Sequence, residues 1–280
     1  CSKDTIFMPS QEPASQANPH LENIKIVPRH NTLLVGKTFN NQRLLLGSDV
    51  ITVYDFIYLS SRGKPEPAIV QISVPCESPY LLDQSSLRGY LDTYAQQKFD
   101  TPQAVAEQLK HELSRRVWAG VAIMSSVSIQ LITSTQFDKQ SIQELSGLDL
   151  DRLDIEYPNP EQSAVLTAAL DEQPVSETFT SQLLSVKGQD GRPVWASLQI
   201  SYTGPQIEQT SLLFFILQLQ QADLLPEATL ELIFNTIQDN CKPTKLAVYA
   251  KFCRQQQMAV SSFRANYPVA APAAHRTARQ

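Results

Sequence analysis

The sequence predicts an α+β protein made of two similar units in tandem, each an antiparallel sheet with helices packed on one face. Two observations lead to this prediction. The chain has 280 residues, 42% of them hydrophobic, which is enough for two ordinary domains. The order of two strands, two helices and further strands also occurs twice along it. The predicted boundaries are an N-terminal arm at 1–46, a first unit at 47–137, a connector at 138–175 and a second unit at 176–280.

The first unit is predicted to open with a hairpin. A β-branched and aromatic run from Val50 to Tyr58 stops at a turn cluster, Ser60 to Pro65, and Ala68 to Val74 supplies the second strand. Two helices should follow, because apolar residues recur at helical spacing and Pro102 is placed as at a helix start. The segment from Trp118 to Ile132 returns to the composition of a strand.

The second unit repeats this order. Phe179 to Val186 and Trp195 to Tyr202 are predicted strands on either side of a turn. Two helices, Ser211 to Leu219 and Pro226 to Ile237, precede a strand from Lys245 to Phe252. The first of these helices has more apolar residues than one face requires. That composition fits either a helix buried in the fold or an assembly surface.

Charge and hydropathy exclude several classes of function. The chain has 23 Lys and Arg against 28 Asp and Glu, so the basic footprint of a nucleic-acid-binding protein is missing. The longest apolar run, Leu212 to Leu217, is too short to span a bilayer. The four histidines lack the spacing of metal ligands, so we expect no metal site. We therefore expect a soluble cytoplasmic protein.

The four cysteines form no CxxC pair and are too few for a disulfide framework. Cys76, Cys241 and Cys253 are interpreted as ordinary buried or half-buried thiols. Cys1, followed by a polar stretch that contains prolines, is similar to a lipidated N-terminus, but we expect a trimmed chain instead.

Several ordered blocks resemble the QueF family, the NADPH-dependent 7-cyano-7-deazaguanine reductases of queuosine biosynthesis, in its long form with two tandem tunnelling folds (T-folds). The family blocks are GTD, LYEL with WLNAKGxP, WGSLQI, CQPEKLSVYA and a terminal RLARQ. The matching residues here are Gly47 to Val50, Val53 to Pro65, Trp195 to Ile200, Cys241 to Ala250 and His275 to Gln280. The resemblance implies two T-fold units, reduction of a nitrile to an amine, and a homo-oligomer that joins sheets between subunits.

The resemblance also implies a cysteine nucleophile, and this chain has none at that place. In the family a thiolate adds to the nitrile carbon, and two hydrides from NADPH reduce the thioimide. The nucleophile position falls at Lys187 or Gly188, the proton-donor aspartate at Val194 and the catalytic histidine at Pro226. Glycine and valine supply neither a nucleophile nor an acid. We therefore predict that no catalytic residue of the family reaction is retained.

The family's two cofactor motifs are altered as well. The ESKSxKLY motif falls at 83–90 and has lost its first lysine, and RRGGLDINPxR falls at 254–264 and has lost one arginine and both glycines. Lysine, arginine and the close backbone approach of glycine bind nucleotide phosphates, so we expect weak NADPH binding. The cofactor-binding candidates that remain are Asp83, Ser86, Arg88, Arg254 and Arg264.

Glu227 occupies the position of the family glutamate that anchors the purine-like ring. A glutamate next to Pro226 would otherwise be a first-turn acid favoured by the helix dipole. The resemblance assigns it to substrate binding, because a carboxylate accepts the paired N–H donors of a guanine-like edge.

Three hypotheses about function follow. The protein is a catalytically silent homologue that binds a purine-like ligand or regulates a partner, an enzyme of altered chemistry that uses Lys187 or Asp190, or an assembly protein with a vestigial pocket. The combined loss of the thiol, the acid and the histidine favours the first and the third hypotheses.

Overall fold

The computed structural model describes residues 20–29, 45–156, 165–170, 173–187, 191–221, 224–253, 257–272 and 276–279. Its strands are β1 (Ile26–Pro28), β2 (Leu46–Ser60), β3 (Pro65–Pro75), β4 (Tyr80–Leu82), β5 (Lys98–Phe99), β6 (Ser128–Thr133), β7 (Leu148–Asp149), β8 (Ala168–Ala169), β9 (Val175–Lys187), β10 (Pro193–Gly204), β11 (Gln206–Ile207), β12 (Lys245–Phe252) and β13 (Met258–Ala265). Its α-helices are α1 (Gln84–Asp92), α2 (Pro102–Val117), α3 (Gln209–Gln218) and α4 (Pro226–Cys241).

The long strands of both units form one continuous sheet, in the order β6-β3-β2-β13-β12-β10-β9-β7. All of the long neighbours are antiparallel, whereas the two-residue strands β5 and β7 pair in parallel. The two units meet where β2 pairs with β13, from Leu46 opposite Ala265 to Val53 opposite Met258. We call this strand pair the seam.

The α-helices pack on one face of the sheet, because cross-strand partners share a face and the apolar ones belong to two helix-covered cores. The first core joins β2, β3 and β13 to α1 and α2, with Val70 and Leu109 fully buried. The second joins β9, β10 and β12 to α3 and α4, with Phe179 and Ile233 fully buried. The α+β class and the antiparallel sheets predicted from the sequence are confirmed.

Several element boundaries agree with the prediction, and local turn chemistry explains one of them. Thr101 accepts a hydrogen bond from the backbone N–H of Ala104 and Pro102 follows it, so α2 begins at the predicted place. The β12 strand, Lys245–Phe252, has the predicted bounds. The apolar residues of α3 face the second core, and Leu212, Leu213 and Ile216 are buried there. The reading of α3 as a helix buried in the fold therefore fits the structure.

Two expectations differ from the structure. The strand predicted from Trp118 to Ile132 is only β6, since α2 is followed by turns in which Gly120 has φ +78°. The N-terminal arm at 1–46 is described in part, and residues 20–29 of it pack onto the first unit, with Leu21 and Ile24 in its core. Within the described residues, helices that could cross a membrane are not found.

Candidate functional site

Five charged side chains lie together on the helix-covered face of the seam. Asp49 on β2 and Arg264 on β13 stand on neighbouring strands, and Glu227 and Glu231 occupy successive turns of α4. Arg29, which follows β1, reaches the same place because β1 pairs with β4. All five are buried, so we call them the seam cluster.

Ion pairs connect four members of the seam cluster. Arg264 places Nη1 at 2.9 Å from Oδ1 of Asp49 and Nη2 at 2.7 Å from Oε1 of Glu231. Arg29 places Nη2 at 2.8 Å from Oδ2 of Asp49 and Nη1 at 3.3 Å from Oε1 of Glu231. Each carboxylate thus bridges two guanidinium groups, and the four charges balance. These ion pairs connect β2 and β13 of the seam to α4 and to the segment after β1.

The pKa values within the seam cluster follow from burial and from these pairs. Burial alone would raise the pKa of Asp49, but Arg264 and Arg29 outweigh it and hold that pKa below its ordinary value. Burial would lower the pKa of Arg264, but Asp49 and Glu231 raise it above the usual arginine value. Both groups therefore stay charged at neutral pH.

Glu227 is the fifth member, and among the described residues it does not take part in the ion pairs of the other four. Its pKa is raised from 4.5 to about 7, first by burial and then by the charge of Asp49, although Arg29 and Arg264 act in the opposite direction. Glu227 as a whole residue is 4% exposed. Near pH 7 this carboxyl is therefore poised between a neutral donor and a charged acceptor.

Glu227→Gln should stabilise the protein at pH 8 and change little near pH 4.5. The unfolded carboxyl loses its proton near pH 4.5 and the folded one near 7, so the folded state binds more protons in that window. The free energy of unfolding of the wild type therefore falls as pH rises through the window, by on the order of 3 kcal/mol, and glutamine removes this loss.

Urea unfolding at pH 4.5 and pH 8 measures the effect of Glu227→Gln. The matched control is Glu107→Gln, at an exposed position on α2, which should shift stability by less than about 0.5 kcal/mol at either pH. Equal stabilities of Glu227→Gln and wild type at pH 8 would contradict the raised pKa.

The positions that the resemblance assigns to catalysis lie on different elements of the second unit. Lys187 is the exposed last residue of β9, Val194 is buried in the second core, and Pro226 is the first residue of α4. Gly188 and Asp190 lie outside the described residues. Valine and proline have no side-chain group that donates a proton, and none of the three described residues carries a thiol.

The described thiols remain protonated at neutral pH. Burial raises the pKa of Cys76 to about 11 and that of Cys241 to about 11. Burial also raises the pKa of Cys253, whose backbone N–H donates to the carbonyl of Trp195 at 2.7 Å. Cys253 is thus the thiol that stands beside the β9–β10 hairpin, and it is not activated.

The cofactor candidates are engaged within the chain. Asp83 caps α1 by accepting from the backbone N–H of Ser86, whose hydroxyl in turn accepts from the backbone N–H of Lys25. Arg88 pairs with Asp55 and with Asp92. Arg264 is fully buried in the seam cluster, and Arg254 lies outside the described residues. The structure therefore does not bring Asp83, Ser86 or Arg88 into the seam cluster.

Sequence reasoning missed three members of the seam cluster. Asp49 lies in the Gly47-Ser48-Asp49 block, which already marked it as part of a family motif. Glu231 lies one turn after Glu227, so a helical-face argument could have found it. Arg29 follows a proline in the predicted arm, and no local signal marks it.

Comparison with known proteins gives a consistent result. A family model described as the N-terminal part of a nitrile reductase, 7-cyano-7-deazaguanine reductase, matches residues 17–125, and a model described as QueF-like protein matches 193–267. An NADPH-dependent 7-cyano-7-deazaguanine reductase of Burkholderia vietnamiensis is 41% identical over 84% of both chains. The proteins of that name from Acidovorax ebreus and Polaromonas naphthalenivorans are 38% identical over 84% and 37% identical over 85% of both chains.

Proposed function

Since the chain belongs to the QueF family, as its sequence blocks predicted, we propose that it binds a guanine-like base at Glu227 and does not reduce nitriles. The observation that carries the proposal is the contrast between the position of Glu227 and the positions that align with the family's reactive residues. The substrate-anchoring glutamate stands in a buried, charged cluster, while Lys187, Val194 and Pro226 occupy the family's reactive positions.

Glu227 has the properties of a base-binding group. In its charged form it accepts two N–H donors from one edge of a guanine-like ring, and the low dielectric around it strengthens such bonds. A ligand that needs the charged form must displace the proton that this carboxyl holds up to about pH 7. Affinity should therefore rise about tenfold between pH 6 and pH 8.

The relatives are NADPH-dependent, yet the matching positions of this chain do not fit the cofactor well. A dinucleotide phosphate needs unoccupied cations or exposed backbone N–H groups. Here Arg88 is held by two aspartates, and Arg264 is fully buried against Asp49 and Glu231. These contacts support the proposal that NADPH binds weakly, and we assign no reaction step to it.

A second candidate is an assembly protein with a vestigial pocket. The exposure of Glu227 is only 4%, so a base would reach it only after the residues above it move. The outer strand β6 offers six residues of sheet edge for pairing with a second copy of the chain. In both candidates we place the protein in the cytoplasm as a homo-oligomer.

Thermal unfolding with and without guanine, 7-cyano-7-deazaguanine or a pterin tests the first candidate. At a ligand concentration a hundredfold above Kd, the wild type should gain about 2.7 kcal/mol of stability. Glu227→Ala should abolish the gain, whereas the exposed control Glu107→Ala should keep it.

The outcomes separate the hypotheses. An unshifted wild type removes base binding and favours the assembly protein. Enzyme-dependent oxidation of NADPH, followed at 340 nm with 7-cyano-7-deazaguanine present, would contradict catalytic silence and favour altered chemistry.

A further inference from the structure

A cleft of about 360 Å³ opens at the end of α2, in the first unit. One wall is the turn that follows the helix, and the other is the short 3-10 helix Leu21–Asn23. The lining residues are Leu21, Glu22, Arg115, Arg116, Trp118, Ala119, Gly120, Val121 and Ile123. Its volume is in the range of small-molecule sites, and none of its residues belongs to the seam cluster.

Trp118 lines this cleft, and the Nε1 atom of its indole is itself buried. The residue is 4% exposed, and its indole Nε1–H has no hydrogen-bond partner among the residues that the structure describes. A buried indole N–H normally has a partner, because leaving it unpaired costs about 1–3 kcal/mol. The Nε1 atom has no exposed surface in the cleft, so a ligand acceptor would reach it only after the wall of the cleft moves.

Two arginines in the last turn of α2 supply positive charge. Arg116 is already used, since its guanidinium holds the 3-10 helix through Glu22 at 3.2 Å and through the carbonyl of Ile24 at 2.7 Å. Arg115 is exposed and pairs with no acid in the described part of the chain. Because Arg116 balances Glu22, Arg115 remains as the cation available to a ligand.

The rest of the cleft is apolar or neutral. Val121 and Ile123 are 55% and 48% exposed, which is high for such side chains outside a binding surface. The carbonyl end of α2 carries about half a negative charge, which opposes an anion, but the arginines of the last turn outweigh it. The cleft therefore combines a cation with an apolar wall.

We propose that this cleft binds a small organic anion, a carboxylate or phosphate monoester with a flat apolar body. The anionic oxygens would accept from the Arg115 guanidinium, and the body would contact Val121 and Ile123. This site is separate from Glu227 and does not depend on base binding there.

The indole N–H resonance of Trp118 reports on the site directly. The chain has two tryptophans, so a Trp195→Phe variant leaves Trp118 as the sole indole signal. Titration of the full chain with sodium benzoate should move this signal along a saturable curve. Benzamide, the neutral analogue, should bind at least fivefold more weakly, and phenyl phosphate tests the phosphate arm. If benzoate or phenyl phosphate binds more tightly than benzamide, the proposal is supported. The tighter of the two anions shows whether the site prefers a carboxylate or a phosphate monoester.

Arg115→Gln should weaken benzoate binding at least fivefold. The control Arg152→Gln, whose side chain is 85% exposed in the connector, should leave the binding curve unchanged. A shift that never saturates, equal binding of benzamide, or equal binding by Arg115→Gln would overturn the proposal. Because Arg115 is exposed, its substitution should not affect folding.

Discussion

Arg264→Met should lower the free energy of unfolding by about 3–5 kcal/mol, the largest effect that we expect of any single substitution in the seam cluster. Arg264 is fully buried and pairs with Asp49 and Glu231. Methionine would fill part of its volume but would leave two buried carboxylates with Arg29 as their shared cation. The expected loss of stability comes from the buried carboxylate charge that is left without a partner, and not from the lost attraction of the ion pair itself.

Three further measurements make this prediction specific. The deficit of Arg264→Met should shrink as pH falls toward 4, because protonation removes the unpaired charge. Adding Asp49→Asn to Arg264→Met should restore part of the stability, since one of the two stranded charges is gone. The control Arg88→Gln breaks only half-exposed pairs with Asp55 and Asp92 and should cost at most about 1 kcal/mol. A cost of Arg264→Met no larger than that of the control would contradict the structural role of the cluster.

Gly47→Ala should destabilise the protein by about 4 kcal/mol. Gly47 pairs with Arg264 across the seam, and its φ is +153°. A Cβ built on it would lie 1.9 Å from the backbone carbonyl oxygen of Phe263. Alanine therefore has to push β2 away from β13, and it stretches the hydrogen bonds from Arg264 to Asp49 as well.

Urea unfolding of matched glycine variants measures this effect. Gly89→Ala is the control, because a Cβ at Gly89 meets nothing within 4 Å and Gly89 lies inside α1. It should gain about 0.5–1 kcal/mol from the higher helix propensity of alanine. If Gly47→Ala were as stable as wild type, this result would contradict the close contact between β2 and β13 at Gly47.

Short-range patterns account for the parts of the fold that were predicted correctly. The apolar run within Lys245–Phe252 and the cap at Thr101 act over a few residues, so they can be recognised locally. Glu227 could be assigned because it stands in an ordered block of the family. The strand expected from Trp118 to Ile132 was too long, because its composition did not reveal the turns after α2.

The sequence by itself determined the α+β class, the long strands and helices, and the family. Only the tertiary structure decided that the two units share one sheet and that the seam cluster exists. Arg29 and Glu231 are 202 residues apart in the chain, and Asp49 and Arg264 are 215 apart. Their pairing, and with it the raised pKa of Glu227, depends on burial and on long-range strand pairing, which local sequence patterns do not record.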